Sequence, residues 1–232
     1  MQFIEKNSFN VRTAVYSLKK DGSSLAFLIF PMIHVGSPEF YAEISSRLAN
    51  CDLILAEGVK SRKANLLTLS YRFVRHVRRM GLITQQEGLR VELFRAKLFN
   101  ADIDGATFDQ GWSSLPISWR MQIMILLPIY VLYLALFGTR QTLAENIAIE
   151  DLPSDEEILL NDEAFEKYES LLIGERDQIL IGHIRQLDAN QNEPQTIGIV
   201  FGAQHMRNTT RFLLQNLNYR ITKAEWVKVF DL

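Results

Sequence analysis

A single cysteine, Cys51, stands in the 232 residues of this chain, so no disulfide can form within it and a reducing compartment suits it. Cys51 lies just before an apolar run and reads as a structural thiol. The chain also lacks a charge excess: 25 Lys and Arg against 27 Asp and Glu leave a net charge of -2, which gives no general pull toward nucleic acid. The first twenty residues hold no apolar signal-peptide core, so the cytoplasm is the expected location. P-loop, GxGxxG, GxSxG, CxxC and HExxH patterns are absent, which removes most nucleotide-binding, serine-hydrolase and zinc-finger classes. Bulk disorder is excluded too, because 47% hydrophobic and 22% charged residues match an ordinary folded domain.

What is present reads as alternating strands and helices. "VRTAVYSL" and "SLAFLIF" flank Asp21-Gly22, a strong hairpin turn. "VGSPEFYAEISSRLANC" follows, with Ser37 as N-cap, Pro38 at the first helical position, and Phe40, Tyr41, Ile44 and Leu48 at helical spacing. "DLILAEG" is then a buried strand, and strand–helix–strand in so short a span implies a parallel βαβ unit. Near the other end, "TIGIVF", "GAQH", "MRNTTRFLLQNLN" and "RITKAEWVKVF" repeat the plan. The expected fold is α/β: a central mixed, largely parallel sheet built from two βαβ units and flanked by helices. Residues 1–232 form one domain, with a basic and apolar helical insertion at about 60–150.

That insertion has two parts. "NLLTLSYRFVRHVRRMG" is a basic amphipathic helix with Arg72, Arg75, Arg78 and Arg79 toward one side, and His76 reads as a surface residue among them. Residues 121–139 then run without a formal charge, interrupted by Pro128 and flanked by Trp119, Arg120 and Arg140. The run just reaches the length of a membrane span. Three readings stay open: a buried core or homo-oligomer-interface helix pair, a monotopic membrane-dipping hairpin, and a true span with no site shared between the two halves. An anionic membrane surface would suit the basic helix, and a solvated face pairing with the acidic "EDLPSDEE" is its bland counterpart.

The candidate chemistry lies at strand ends, where α/β sheets gather functional groups. His34, Glu57 and His205 each fall just past an apparent strand, with Phe30 to His34 and Phe201 to His205 at the same spacing. Two imidazoles and a carboxylate suit a divalent metal, and Glu57 could otherwise serve as a general base. Gly202 would permit a tight turn before His205. Glu175, Arg176 and Asp177 interrupt an apolar helix, so at least one charge should point inward. Arg176 could orient Glu57 or grip a substrate anion, and a structural ion pair is the alternative. Asp102 and Asp109 are weaker carboxylate candidates that could equally cap helices. His183, seven residues after Arg176, reads as structural before ligand.

At these residues the chain resembles the TraB/PrgY/GumN family, which includes the Tiki proteases. The carriers are "PMIH" at 31–34, "LAEG" at 55–58, "ERD" at 175–177 and "GAQH" at 202–205, in family order and spanning most of the chain. Pro31 departs from the glycine expected in the first GxxH. The resemblance implies a fold akin to erythromycin-esterase and ChaN-like proteins, and a metal-dependent hydrolase or peptidase. On that reading His34, His205 and Glu57 surround Mn, Co or Zn, with Glu175 and Arg176 beside them and a peptide or small molecule as substrate. Non-catalytic capture of a peptide or other ligand at a membrane, and metal-free His/Glu ester hydrolysis, stay open beside it.

Overall fold

A computed structural model describes residues 1–67, 80–90, 94–145, 147, 170–190, 193 and 195–232. The basic stretch with Arg72, Arg75, His76, Arg78 and Arg79 lies outside them, as does "EDLPSDEE". The fold is α/β, with a mixed, mostly parallel sheet and flanking helices. Strands β1 (Ile4–Lys6), β2 (Asn10–Lys19) and β3 (Leu25–Met32) open the chain. As Asp21-Gly22 suggests, β2 and β3 form an antiparallel hairpin, with Gly22 at φ +77°, a left-handed conformation that side chains disfavour. A short strand β4 (Val35–Gly36) leads into helix α1 (Pro38–Leu48), where the Ser37 side chain accepts the Phe40 N–H at 3.2 Å. Strand β5 (Leu53–Ala56) follows.

The insertion holds helix α2 (Arg62–Leu67), strand β6 (Ile83–Thr84), one-turn helix α3 (Gln85–Gly88) and strand β7 (Lys97–Asn100). Helices α4 (Gly105–Ser114), α5 (Ile117–Phe137) and α6 (Arg140–Glu145) come next. Helix α5 is continuous through Pro128, so the apolar run is one helix and not the helix pair or hairpin that the proline suggested. Helix α7 (Glu175–Ala189), strand β8 (Gln195–Gly202), helix α8 (Met206–Arg211) and strand β9 (Arg220–Asp231) complete the described strands and α-helices.

Strands β3, β8, β5 and β7 lie side by side and run parallel, while β2 joins β3 and β9 antiparallel. Both expected βαβ units therefore have parallel strands, but neither pairs its own two. Strand β8 lies between β3 and β5, and β3 and β2 lie between β8 and β9. Alternation along each strand feeds two cores. Phe30, Met32, Ile54 and Val200 join Phe40, Tyr41, Ile44 and Leu48 of α1 on one face. Phe27, Ile29, Leu55, Ile199 and Phe201 join Leu180 and Ile184 of α7 on the other. Cys51 is buried in the first core, where burial and then Asp52 push its thiol up to about 12, an unreactive state.

The register separates the two look-alike segments. Phe30 pairs with Val200, and Pro31 with Phe201, so the second copy is displaced by one residue along the sheet. A one-residue offset reverses faces, and Phe30 and Phe201 accordingly enter opposite cores. Pro31 sits within β3, its carbonyl accepting from the Thr13 hydroxyl at 2.8 Å.

Candidate functional site

Parallel pairing brings the carboxyl ends of β3, β8, β5 and β7 to one edge. Ala56 pairs with Val200 on one side and Asn100 on the other, and Met32 pairs with Gly202. Residues just past these ends must share that edge. They are His34, Glu57, Asp102 and His205. The ladder extends one step further, as the Glu57 N–H donates to Val200 at 3.0 Å and the Ala101 N–H to Ala56 at 3.1 Å.

Arg176, from the first turn of α7, is the inward-pointing charge. Its Nε donates to Asp102 Oδ1 at 2.8 Å and its Nη2 to Asp102 Oδ2 at 2.7 Å, the two-pronged fit of a guanidinium on a carboxylate. Nη2 also donates to Glu57 Oε1, and Nη1 to the Leu172 carbonyl at 3.1 Å. Asp102 further accepts the Gly58 N–H at 3.0 Å and the Ile103 N–H at 2.8 Å. The buried charges thus leave few unsatisfied valences, as burial demands.

Glu57 Oε2 accepts the Gly202 N–H at 2.7 Å. Gly202 serves this approach with an ordinary negative φ of -51°. A Cβ there would lie 3.3 Å from Glu57 Oε2 and 3.6 Å from the His205 ring. Burial alone would raise the Glu57 pKa, but Arg176, His34, His205 and the Gly202 N–H together hold it at about 2, below the ordinary 4.5. Arg176 shows the complement: burial works to lower its pKa, and Asp102 and Glu57 raise it instead.

Beside this network, His205 Nδ1 lies 2.7 Å from Asp177 Oδ1, and Asp177 Oδ2 accepts from Asn208 Nδ2 at 2.6 Å. Asp177 is 1% exposed and His205 4%, so the hydrogen bond between them is shielded from bulk water. An ionised Asp177 can only accept, which places the proton on Nδ1 and the lone pair on Nε2. Nε2 faces Glu57 Oε1 at 3.8 Å, beyond a direct hydrogen bond. His34 is half-buried, with Nδ1 3.2 Å from Gln85 Oε1 and its carbonyl accepting the Gln85 N–H at 2.8 Å.

The sequence candidates divide accordingly. Glu57, Asp102, Arg176, Asp177 and His205 are linked, and His34 is near enough to Glu57 to lower its pKa. Glu175 is exposed at the start of α7. Asp109 accepts from the Ser61 hydroxyl and ties α4 to the start of α2 rather than bonding to this network. His183 packs edge-on against Phe99 with ring centres 4.7 Å apart. It lines a groove of about 560 Å³ with Asp52, Lys97 and Gln195, at the amino ends of β5, β7 and β8. That groove lies at the opposite end of the sheet from the charged network. Asn208 and Gln85 are contributors that no motif announced, while Gly202, expected only as a turn residue, also supplies its N–H to Glu57.

A metal would need several convergent donors. Among the described residues no three His, Cys, Asp or Glu side chains are gathered to hold one. Both Glu57 oxygens are already engaged, by Arg176 and by the Gly202 N–H. As they stand, His34, Glu57 and His205 do not fit a ready-made metal centre. Compared with known proteins, the chain matches no family model, no curated protein and no solved structure.

Acid should dissolve the network. A depressed carboxylate contributes stability above its unfolded pKa and loses it as pH falls through the folded value. Glu57 should therefore add on the order of 3 kcal/mol above pH 4.5, lost as pH approaches 2. Urea unfolding of wild type and Glu57→Gln at pH 6 and pH 2.5 checks this. The variant should lose much less stability between the two pH values, and equal losses would refute the assignment.

Proposed function

We propose that this protein hydrolyses an ester or peptide bond, with His205 as the proton-transferring group. The observation that carries the reading is the Asp177–His205 pair, with Nε2 turned toward Glu57 at the carboxyl edge of a parallel sheet. The ordered resemblance to GxxH hydrolases supports it from the sequence side.

In the proposed reaction, His205 Nε2 accepts a proton from water as the water oxygen bonds to the substrate carbonyl carbon. The carbon–heteroatom bond then breaks, and the imidazolium returns its proton to the departing oxygen or nitrogen. Asp177 holds the tautomer and stabilises the imidazolium. Glu57, with a pKa near 2, is too weak a base for this work at neutral pH, and its fixed negative charge adds to imidazolium stabilisation. Arg176 is a positioning residue, since its three nitrogens are committed to Asp102, Glu57 and Leu172.

A metal-dependent form of the same hydrolysis has one observation in its favour: both imidazoles are held through Nδ1, as metal-binding histidines commonly are. It requires His34 to join Glu57 and His205 as ligands. One experiment addresses both forms. A panel of aryl esters and peptides is incubated with the protein, with and without a chelator. Turnover that survives chelation and falls at least about a hundredfold in His205→Gln supports the metal-free reading. Turnover lost to chelator and restored by Mn, Co or Zn supports the metal-dependent form. Retention of a panel ligand without turnover would point to a binding protein instead.

A further inference from the structure

We infer that helix α5 lies in the plane of an anionic membrane surface, holding the protein there without crossing the bilayer. Residues 117–134 form a helix long and apolar enough to span, yet only 11% of that stretch is buried. Met124, Ile125 and Leu126 are consecutive, and all are more than half exposed, at 55%, 55% and 60%. At about 100° per residue they alone sweep about 200° of the helix surface. The core-facing stripe of a surface helix commonly starts at about 100°. An exposed face twice that width suits surroundings that are apolar on every outward side, which is lipid.

Both helix ends are fixed to one body. Before α5, Trp112 and Leu115 pack with Ile103, Phe108 and Leu171. After it, Arg140 donates to the Met80 carbonyl at 2.7 Å and the Asp231 carbonyl at 3.1 Å, while Leu143 and Ala144 enter the core beside α1. The sheet edge gives the same answer. Glu57 and Asp102 precede α5 in the chain and Arg176 follows it, yet the three are directly bonded. A helix crossing the bilayer would place one end on the far side and separate them. A single crossing is thereby excluded, and of the positions open to the helix in a membrane the in-plane one leaves both ends attached.

Charge selects the lipid. From Gln110 to Ala144 the chain carries Arg120 and Arg140 and no acidic residue, so this segment itself favours negative headgroups, with Asp109 and Glu145 at its two borders. This inference does not depend on the hydrolase reading.

Flotation of the full chain with phosphatidylcholine vesicles, with and without one-third phosphatidylserine, tests it. The wild type should float with the serine-containing vesicles. Ile125→Glu/Ile129→Glu, at two exposed positions, should bind at least about tenfold more weakly with an unchanged circular dichroism spectrum. Position is read with a membrane-impermeant maleimide, to which buried Cys51 is inert. Added outside the vesicles, it should modify both Ser114→Cys and Gln141→Cys while Ile125→Cys is protected. Three outcomes would overturn the inference: no flotation with either vesicle, one flank shielded while the other reacts, or a lipid-free dimer that Ile125→Glu/Ile129→Glu dissociates. The last would assign the face to a second copy of this chain.

Discussion

Replacing Arg176 with methionine should cost about 3–5 kcal/mol of folding stability, the range for removing one partner of a buried ion pair. Methionine fills much of the same volume, so the loss would be electrostatic in origin. Two carboxylates would remain, with side-chain exposures of 15% for Glu57 and 0% for Asp102, and neither would face a cation. The Leu172 carbonyl would lose its donor as well. Against the total stability of about 5–15 kcal/mol common to small domains, such a loss leaves the fold marginal. Urea unfolding at pH 7 reads it directly. Arg176→Lys should recover only part, because an ammonium cannot present two parallel N–H groups to Asp102. A methionine variant within about 1 kcal/mol of wild type would show that the network is not buried and paired as described.

Asp177→Asn should leave folding nearly intact and lower hydrolysis by about four orders of magnitude, the loss known for the equivalent change in a Ser-His-Asp triad. Asn208 makes the outcome specific. Its Nδ2 already donates to one oxygen of Asp177, so an introduced amide would turn its oxygen toward Asn208 and its NH2 toward His205. Nδ1 would then have to accept, the proton would move to Nε2, and the lone pair needed for catalysis would be lost. Both hydrogen bonds persist in exchanged form, so unfolding should shift by only about 1 kcal/mol. Turnover on whichever substrate the panel reveals, alongside urea unfolding, separates the effects. Equal losses in activity and stability would argue that the pair is structural.

Much of the fold is legible in the sequence because its signals are local. Asp21-Gly22 marks the hairpin, Ser37-Pro38 starts α1, and apolar runs bounded by turns mark β5 and β8. Strand order is not local. No residue pattern announces that β8 enters between β3 and β5, since that depends on how remote segments meet. The matched Phe-to-His spacings invite an internal repeat, yet pairing displaces them by one residue and sends Phe30 and Phe201 to opposite faces. Glu225 lies 20 residues after His205, much as Glu57 lies 23 after His34, yet it sits within β9 opposite Val15 and pairs with Arg47.

The site follows the same division. Glu57 and His205 stand at strand ends visible in the sequence, and charges within an apolar helix flag Arg176. Asp102 and Asp177 read as weak candidates because their importance lies in partners distant along the chain. Asp102 takes the guanidinium 74 positions away, and Asp177 holds the imidazole 28 positions away. Asn208 and Gln85 carry no charge and fit no motif, so only three-dimensional proximity reveals them.

The position of β8 has a consequence for how the polypeptide reaches its native state. During synthesis β3 can pair with β2 and β5 with β7, but the edge that β3 and β5 each turn toward β8 stays open until Gln195–Gly202 has left the ribosome. The hairpin formed by β2 and β3 therefore waits with an unpaired edge, and the rest of the parallel core cannot be sealed around it. Such late, long-range closure slows folding and leaves nascent chains open to edge-to-edge association. Yield from the cell should accordingly depend on chaperone supply, and a polypeptide arrested before β8 should be a ready substrate for proteases.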